Sequence, residues 1–239
     1  STTTNVYRYN GTGWSEVRGL PQPAYQQSVC LYSNHLYSMG GVFQGYQVST
    51  NVYRFDGTDW TEVAGLPGEL YAGTAAVLGG YMYYIGGTGT NGMHHANVYR
   101  FNGTGWTEVA SLPEERAISA AATLGGALYV SGGKRDSNDQ TYTNVYRFNG
   151  TNWAEVAGLP NPRAGHTLTA LNGALYTAGG YDASAAHTNV YRFNGTAWTE
   201  VEGVPQGFYQ HSAAAFGGRL VVMGGYNSSI ISNVYQYTP

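Results

Sequence analysis

Short runs of alternating apolar and polar residues follow one another along the whole chain, and no segment repeats with the helical period. The run Val-Tyr-Arg-Phe at 52–55 is β-branched and aromatic, a composition typical of strands. An Asp-Gly pair follows it and suits the positive φ of a tight hairpin turn. The next run, Trp-Thr-Glu-Val at 60–63, alternates again and predicts the returning strand of a hairpin.

A second pair of strands is predicted between these hairpins. Small apolar residues, as at 212–216, suit a strand crowded near an axis, and a turn such as Asn172-Gly173 follows each such run. The pattern Leu-Tyr-x-x-Gly-Gly then predicts another strand that its glycines end.

These elements form one repeat. The segment Asn-Val-Tyr recurs at intervals of about 46 residues, and a tryptophan, a Glu-Val pair, a proline and a Gly-Gly pair keep fixed distances from its first five copies. Four strands per copy can bury their faces only by stacking copies side by side, and radial closure also protects the sheet edges. We therefore predict a single β-propeller domain over residues 1–239 with five blades of four antiparallel strands, a to d outward from the axis. Its repeats begin near 5, 51, 97, 144 and 189, and 233–237 is a closing strand.

The recurring Gly-Gly pair, the aromatic residues and tryptophan that follow it, and an arginine before the inner strand resemble the kelch repeat. The resemblance covers all five units and implies a kelch-type propeller. In kelch domains that bind peptides, the loops joining strands d to a and b to c form the recognition face, and the arginine points into it. Arg116 and Arg163 match that arginine, whereas Ala24, Leu70 and Phe208 replace it in the other copies.

The ends of the chain predict how the ring closes. The a, b and d strands each occur five times. The c strand occurs six times, because one copy lies near each end of the chain. We expect N- and C-terminal strands to combine in one blade, with the N-terminal d strand completing the last blade. The surplus c strand would lie at its outer edge, where it could pair with another molecule.

Comparing the copies separates scaffold from candidate site. The arginine of Val-Tyr-Arg, the glutamate of Glu-Val and the tryptophan recur in all five copies and are interpreted as cross-strand or inter-blade partners. The loops before the a strands and after the Gly-Gly pairs vary. They carry aromatic, amide, imidazole and guanidinium groups, which suit a neutral or weakly acidic polar ligand. The predicted ligand-binding residues are Tyr25, Gln26, Tyr46, Tyr71, Arg116, Arg163, His166, Tyr181, Phe208, Tyr209 and His211.

Charge and cysteine content narrow the classes of partner and cofactor. Only 10% of residues are charged and the net charge is −3, so no basic field attracts nucleic acid. No apolar run is long enough for a membrane span. The single cysteine, Cys30, lies in an apolar run and is interpreted as a buried, inert thiol. Asp136, Asn138 and Asp139 could hold Ca²⁺ but lack the other ligands of a calcium loop, and no cofactor is predicted.

The favoured hypothesis is a non-enzymatic scaffold that binds a polar peptide, a protein or a glycan on one face of the propeller. Two alternatives stay open. One is a structural or adhesive surface repeat that self-associates through the surplus strand. The other is a kelch-type sugar epimerase or oxidase, for which Glu114, Glu115, Arg116 and Arg163 are candidate residues. The sparse lysine and the absence of disulfides fit a secreted or cell-surface protein, and a cytoplasmic one is possible.

Overall fold

A computed structural model describes residues 3–135 and 140–239, and every regular element in these residues is a β strand. Four sheets have four antiparallel strands each, in the predicted order a, b, c, d. Blade 1 consists of β4 (Ser28–Tyr32), β5 (His35–Met39), β8 (Val52–Phe55) and β9 (Trp60–Val63). Blade 2 consists of β10 (Thr74–Leu78), β11 (Tyr81–Ile85), β12 (Val98–Phe101) and β13 (Trp106–Val109).

Blades 3 and 4 repeat this arrangement. Blade 3 consists of β14 (Ala120–Leu124), β15 (Ala127–Ser131), β16 (Val145–Phe148) and β17 (Trp153–Val156). Blade 4 consists of β18 (Thr167–Leu171), β19 (Ala174–Ala178), β20 (Val190–Phe193) and β21 (Trp198–Val201).

The two ends of the chain form smaller sheets. Blade 5 has three strands, β22 (Ser212–Phe216), β23 (Arg219–Met223) and β26 (Val234–Tyr237). The N-terminal hairpin pairs β1 (Val6–Tyr9) with β2 (Trp14–Val17). The remaining strands are two residues long and lie in the loops: β3 (Ala24–Tyr25), β6 (Val42–Phe43), β7 (Gln47–Val48), β24 (Tyr226–Asn227) and β25 (Ser229–Ile230).

The predicted closure is therefore wrong. The C-terminal strand β26 is the c strand of blade 5, but β2 does not pair with it, and within the described residues β1 and β2 pair only with each other. The contacts of the N-terminal hairpin explain this difference, because Tyr9 meets Phe216 of blade 5 at 6.3 Å and Arg18 O accepts from Trp60 Nε1 of blade 1 at 3.0 Å. These contacts place the hairpin beside blade 5 rather than in its sheet.

The fixed columns of the repeat hold the blades together, as predicted. Each d-strand tryptophan of blades 1 to 4 donates its indole N–H to a carbonyl just after the preceding d strand, as Trp106 Nε1 does to Ala64 O at 2.9 Å. The recurring glutamate accepts from the asparagine that precedes the c strand, as Glu108 Oε1 does from Asn97 Nδ2 at 2.6 Å. Between blades 2 and 3, Tyr83 meets Phe148 edge to face at 5.8 Å. These contacts leave the loops free to vary.

Candidate functional site

The two variable loop sets meet on one face of the propeller, as the comparison of repeats predicts. In each blade, the second residue of the loop before the a strand pairs in antiparallel fashion with the residue that follows the Gly-Gly pair. The five pairs are Tyr25 with Val42, Tyr71 with Thr88, Ala117 with Lys134, Ala164 with Tyr181, and Tyr209 with Tyr226. We call this face the loop face.

A line of backbone hydrogen bonds runs across the loop face from blade to blade. Ala72 N donates to Gln26 O at 2.9 Å, Ile118 N to Ala72 O at 2.8 Å, Gly165 N to Ile118 O at 3.0 Å, and Gln210 N to Gly165 O at 2.8 Å. All five residues have positive φ. Glycine fits closely at Gly165, where a Cβ would lie 3.2 Å from the Tyr181 ring and 3.3 Å from Gln210 N. The hydrogen bonds fix the position of the loops around the axis.

A cavity of about 560 Å³ opens at the centre of this line, and we call it the channel mouth. Its described lining has hydroxyl, amide and imidazole groups beside small apolar ones, but no Asp, Glu, Lys or Arg. Such a surface offers hydrogen bonds without a net charge. The lining residues are Tyr25, Gln26, Gln27, Val29, Ala72, Gly73, Ile118, Ser119, Gly165, His166, Gln210, His211 and Ser212.

The two predicted histidines stay neutral at physiological pH. His166 is buried with its Nε2 atom 2.9 Å from Ser131 Oγ, and burial first, then the Arg163 charge, holds its pKa well below the ordinary value. His211 Nε2 lies 3.2 Å from Thr167 Oγ1, and burial lowers its pKa to about 4. Both rings pack against the Gly-Gly pair of the preceding blade. A Cβ on Gly132 would lie 2.8 Å from His166 Cε1, and a Cβ on Gly179 would lie 2.8 Å from His211 Cε1. They contribute imidazole edges to the channel mouth and no charge.

A group of aromatic rings extends the site over blades 4 and 5. The ring centroids of Tyr181 and Tyr209 are 4.6 Å apart, and Tyr209 meets Tyr226 at 5.6 Å. Lys134 Nζ lies 5.1 Å from the centroid of Tyr181. Tyr226, like Tyr181, follows a Gly-Gly pair and is expected on this face from the sequence. Lys134 holds the same column and was missed, although a column-by-column reading of the repeat would have found it.

Arg116 is buried and lies outside the lining of the channel mouth. Its guanidinium donates to Glu114 Oε2 at 2.8 Å, to Glu115 O at 3.0 Å and to Asn144 Oδ1 at 3.3 Å. It also lies over the rings of Tyr142 and Tyr146 at 4.8 and 5.6 Å. Burial raises the pKa of Glu114, but the hydrogen bond and charge of Arg116 outweigh it, and the net pKa is lowered. Arg116 therefore acts as a scaffold residue.

Arg163 is also buried, with different partners. Its Nη1 atom donates to Gly179 O at 2.8 Å, and its guanidinium lies 5.0 Å from the Tyr191 centroid. Asn161 stands where the Arg116 copy has Glu114, and no acidic side chain of the described residues forms an ion pair with Arg163. Burial lowers its pKa to about 10, so the group stays charged at neutral pH. Neither arginine reaches the channel mouth, contrary to the expectation taken from the resemblance.

The remaining predicted residues divide among three places. Phe208 is fully buried, stacked on Tyr235 at 5.9 Å, and packs in the core rather than in the cavity lining. Tyr46 lies in the turn between β6 and β7, 87% exposed and outside the cavity lining. Tyr71 is half-buried beside Thr88, next to the channel mouth. Of the predicted set, Tyr25, Gln26, His166 and His211 line the cavity, and Tyr181 and Tyr209 belong to the aromatic group beside it.

Other candidate chemistry receives no support. Asp136, Asn138 and Asp139 lie outside the described residues. Across residues 3–135 and 140–239, no three His, Cys, Asp or Glu side chains are grouped so as to hold a metal ion. Burial raises the pKa of Cys30 to about 11, which leaves the thiol protonated and supports its interpretation as inert. In the described part of the chain, no helix is long and apolar enough to cross a membrane.

Comparison with known proteins identifies the fold. Residues 74–239 match the family model of the kelch-repeats domain of KLHDC2, KLHL20 and DRC7. Among solved structures, one titled "Structure of YjhT" superposes with a TM-score of 0.89 at 16% sequence identity, covering 99% of this chain and 89% of that chain. No curated protein matches. The two matches confirm the predicted kelch-type β-propeller.

Proposed function

This chain belongs to the kelch-repeat family, and from that premise we propose that it is a recognition module that binds an uncharged polar segment of another protein at the channel mouth. Kelch propellers serve in general as protein-interaction scaffolds. The observation that carries the proposal is the channel mouth itself: a cavity of about 560 Å³ lined by amides, hydroxyls and neutral imidazoles, and without charged side chains among its described lining residues.

The lining favours a ligand that exchanges hydrogen bonds rather than charge. Gln26, Gln27 and Gln210 each carry one amide acceptor and two amide N–H donors. The exposed ring of Tyr25 supplies an apolar surface beside them. Because burial keeps His166 and His211 neutral, an acidic ligand would find no cation in this lining. A peptide backbone or an Asn, Gln, Ser or Thr side chain has the matching donors and acceptors.

A carbohydrate is the second candidate. Tyr25 exposes an aromatic ring next to the amide of Gln26, and an aromatic face beside fixed polar groups also suits a sugar ring. Of the residues predicted for the enzymatic alternative, Arg116 is buried and donates to Glu114 Oε2 and Glu115 O, which favours the binding proposal over it.

The test is to probe a peptide array and a glycan array with the labelled protein. Two variants are compared with it: Tyr25→Ser at the channel mouth and Tyr46→Ser as a matched control in the same blade. Tyr46 is exposed and outside the cavity, so its loss removes an equal ring without touching the site. We expect saturable peptide binding that Tyr25→Ser weakens and Tyr46→Ser leaves unchanged. Binding to glycans alone would favour the second candidate. Absence of saturable binding, or equal effects of both substitutions, would refute the proposal.

A further inference from the structure

The N-terminal hairpin occupies a blade position of its own between blades 5 and 1. Trp60 Nε1 of blade 1 donates to Arg18 O, just after β2, at 3.0 Å, the bond that Trp106 of blade 2 makes to Ala64 O after β9. On the other side, Tyr9 of β1 meets Phe216 of blade 5 at 6.3 Å, as Phe101 of blade 2 meets Tyr32 of blade 1 at 6.1 Å. The hairpin therefore takes the places of strands c and d, and no a or b strand accompanies it within the described residues. We call this the open position.

Both walls of the open position expose side chains that the other interfaces bury. On blade 5, Phe216 is 59% exposed, whereas Leu78 and Leu171, in the same column, are buried. On β1, Tyr9 is 44% exposed, whereas Phe101, Phe148 and Phe193 in its column are fully buried. On blade 1, Val29 and Leu31 are exposed on the side of β4 that faces this position, and Leu31 is 66% exposed. Among the described strands, the columns of Phe216 and Tyr9 are exposed at this place, whereas the similarly exposed Met93 lies in a loop.

The backbone is interrupted at the same place. The line of hydrogen bonds on the loop face ends at Gln26 N on blade 1 and at Gln210 O on blade 5 among the described residues. The inner strands β4, β10, β14, β18 and β22 pack in succession, but β22 and β4 do not pack against each other as these neighbours do. One further a–b strand pair would pair with β1, as β11 pairs with β12, and would continue the line of hydrogen bonds. Between β1 and blade 5 lies a cavity of about 650 Å³, lined by Tyr9, Trp14 and Phe216 among others.

A second copy of the chain cannot complete the ring. Residues 3–135 and 140–239 of each copy form five a–b pairs and six blade positions, so an exchange of these strands between copies moves the vacancy without filling it. The occupant must bring an additional a–b pair. The repeat columns define the sequence that this a–b pair needs. Its first strand has small apolar residues, and its turn is of the Asn-Gly or Gly-Gly type. Its second strand has an aromatic residue opposite Arg8, as β11 has Tyr83 opposite Arg100.

We propose that the open position is a docking site for a β hairpin with the a–b pattern of the kelch repeat, supplied by another polypeptide segment, which pairs with β1 and covers Phe216 and Leu31. Docking adds a strand to an open sheet edge, and the side chains of the flanking blades select the hairpin. The site adjoins the channel mouth, since Val29, Gln26 and Gln210 border both, but Leu31 and Phe216 lie outside the channel-mouth lining. The proposal does not depend on the function proposed above.

The test uses a synthetic peptide with the sequence of residues 162–182, which contains β18, the Asn172-Gly173 turn and β19. The peptide has no tryptophan, so Trp14 in the lining of the cavity reports binding by fluorescence, and a Trp14→Phe variant identifies its share of the signal. A peptide of the same composition in scrambled order is the control. We expect saturable binding at one peptide per chain and a rise in melting temperature, because a ligand that binds only the folded state stabilises it.

Two matched variants locate the binding. Leu31→Asp puts a charge on the wall of the open position, and Met93→Asp puts the same charge on a loop of blade 2. The Leu31 side chain is 66% exposed and the Met93 side chain 63% exposed, so neither change should unfold the chain. We expect Leu31→Asp to weaken peptide binding by about tenfold or more, because the charge is buried without a partner, and Met93→Asp to leave it unchanged. No saturable binding, equal binding of the scrambled peptide, or equal effects of the two variants would overturn the proposal. Dimers of the chain that persist at saturating peptide would also overturn it, since β1 would then pair with another copy.

Discussion

The interface between blades 2 and 3 and the open position between blades 5 and 1 use the same columns of the repeat with opposite results. At the first, Leu78 and Phe148 are buried and Tyr83 packs on Phe148. At the second, the equivalent Phe216 and Tyr9 are exposed. The residue types are similar, so the difference arises from the neighbouring strands and not from the composition of the column. Burial at each position in this propeller is a property of the whole ring.

The largest effect should separate Phe148 from Tyr9, which occupy the same column. Phe148→Ala removes a fully buried ring that contacts Tyr83 and Trp153, and should cost about 4 kcal/mol of unfolding free energy. Tyr9→Ala acts on an exposed ring and should cost less than about 1 kcal/mol. Urea denaturation of both variants measures the difference, and equal losses would show that the open position is packed like the other interfaces.

The stability of the protein should depend on pH through His211. Its folded pKa of about 4 lies below the ordinary value of 6.5, so between these values the unfolded chain binds more protons and stability falls as the pH falls. The loss attributable to this group should approach about 3 kcal/mol near pH 4. The His211→Gln variant should lose this part of the pH dependence in denaturant melts from pH 8 to pH 4. An unchanged slope would mean that the imidazole is solvated.

The two buried arginines should respond differently to the same change. Arg116→Met breaks three hydrogen bonds, one of which is the ion pair with Glu114, and should cost about 2 kcal/mol, since Glu114 keeps Arg135 at 3.0 Å and Tyr146 at 3.2 Å. Arg163→Met removes a buried charge that no carboxylate of the described residues pairs, and should change stability by less than about 1 kcal/mol. Thermal and urea denaturation of both variants measure the two changes in unfolding free energy. A larger cost at Arg163 would mean that its ring and carbonyl contacts outweigh the burial of its charge.

The repeat pattern was sufficient to predict the fold, because the turn pairs, the tryptophans and the double glycines each carry a local physical constraint that recurs in every copy. It was insufficient for ring closure, since the strand count allows β2 to pair either with its neighbour β1 or with β26. It also misplaced the arginines. Their position before the a strand predicts the loop face, but the direction of the side chain depends on Glu114 for Arg116 and on the Tyr191 ring for Arg163.

The channel mouth was predicted in part for a related reason. Variation between copies identified the two loop sets, and the structure brings both sets together around Gln26 and Gln210. Phe208 varies as well, but it varies because blade 5 fills the arginine column with a buried ring that stacks on Tyr235. Variation therefore marks positions where the copies differ in packing as well as positions that face a ligand.

Native-state amide exchange in β1 and β12 tests the open position most directly, because the two strands hold the same column in different surroundings. In β12, both edges are paired, with β11 and β13, so its amides should be protected throughout the strand. In β1, only the edge toward β2 is paired, so protection should alternate along the strand, with the outward amides exchanging near the rate of an exposed edge. Uniform protection of β1 at the level of β12 would contradict the account, since it would show that a second strand already pairs with β1.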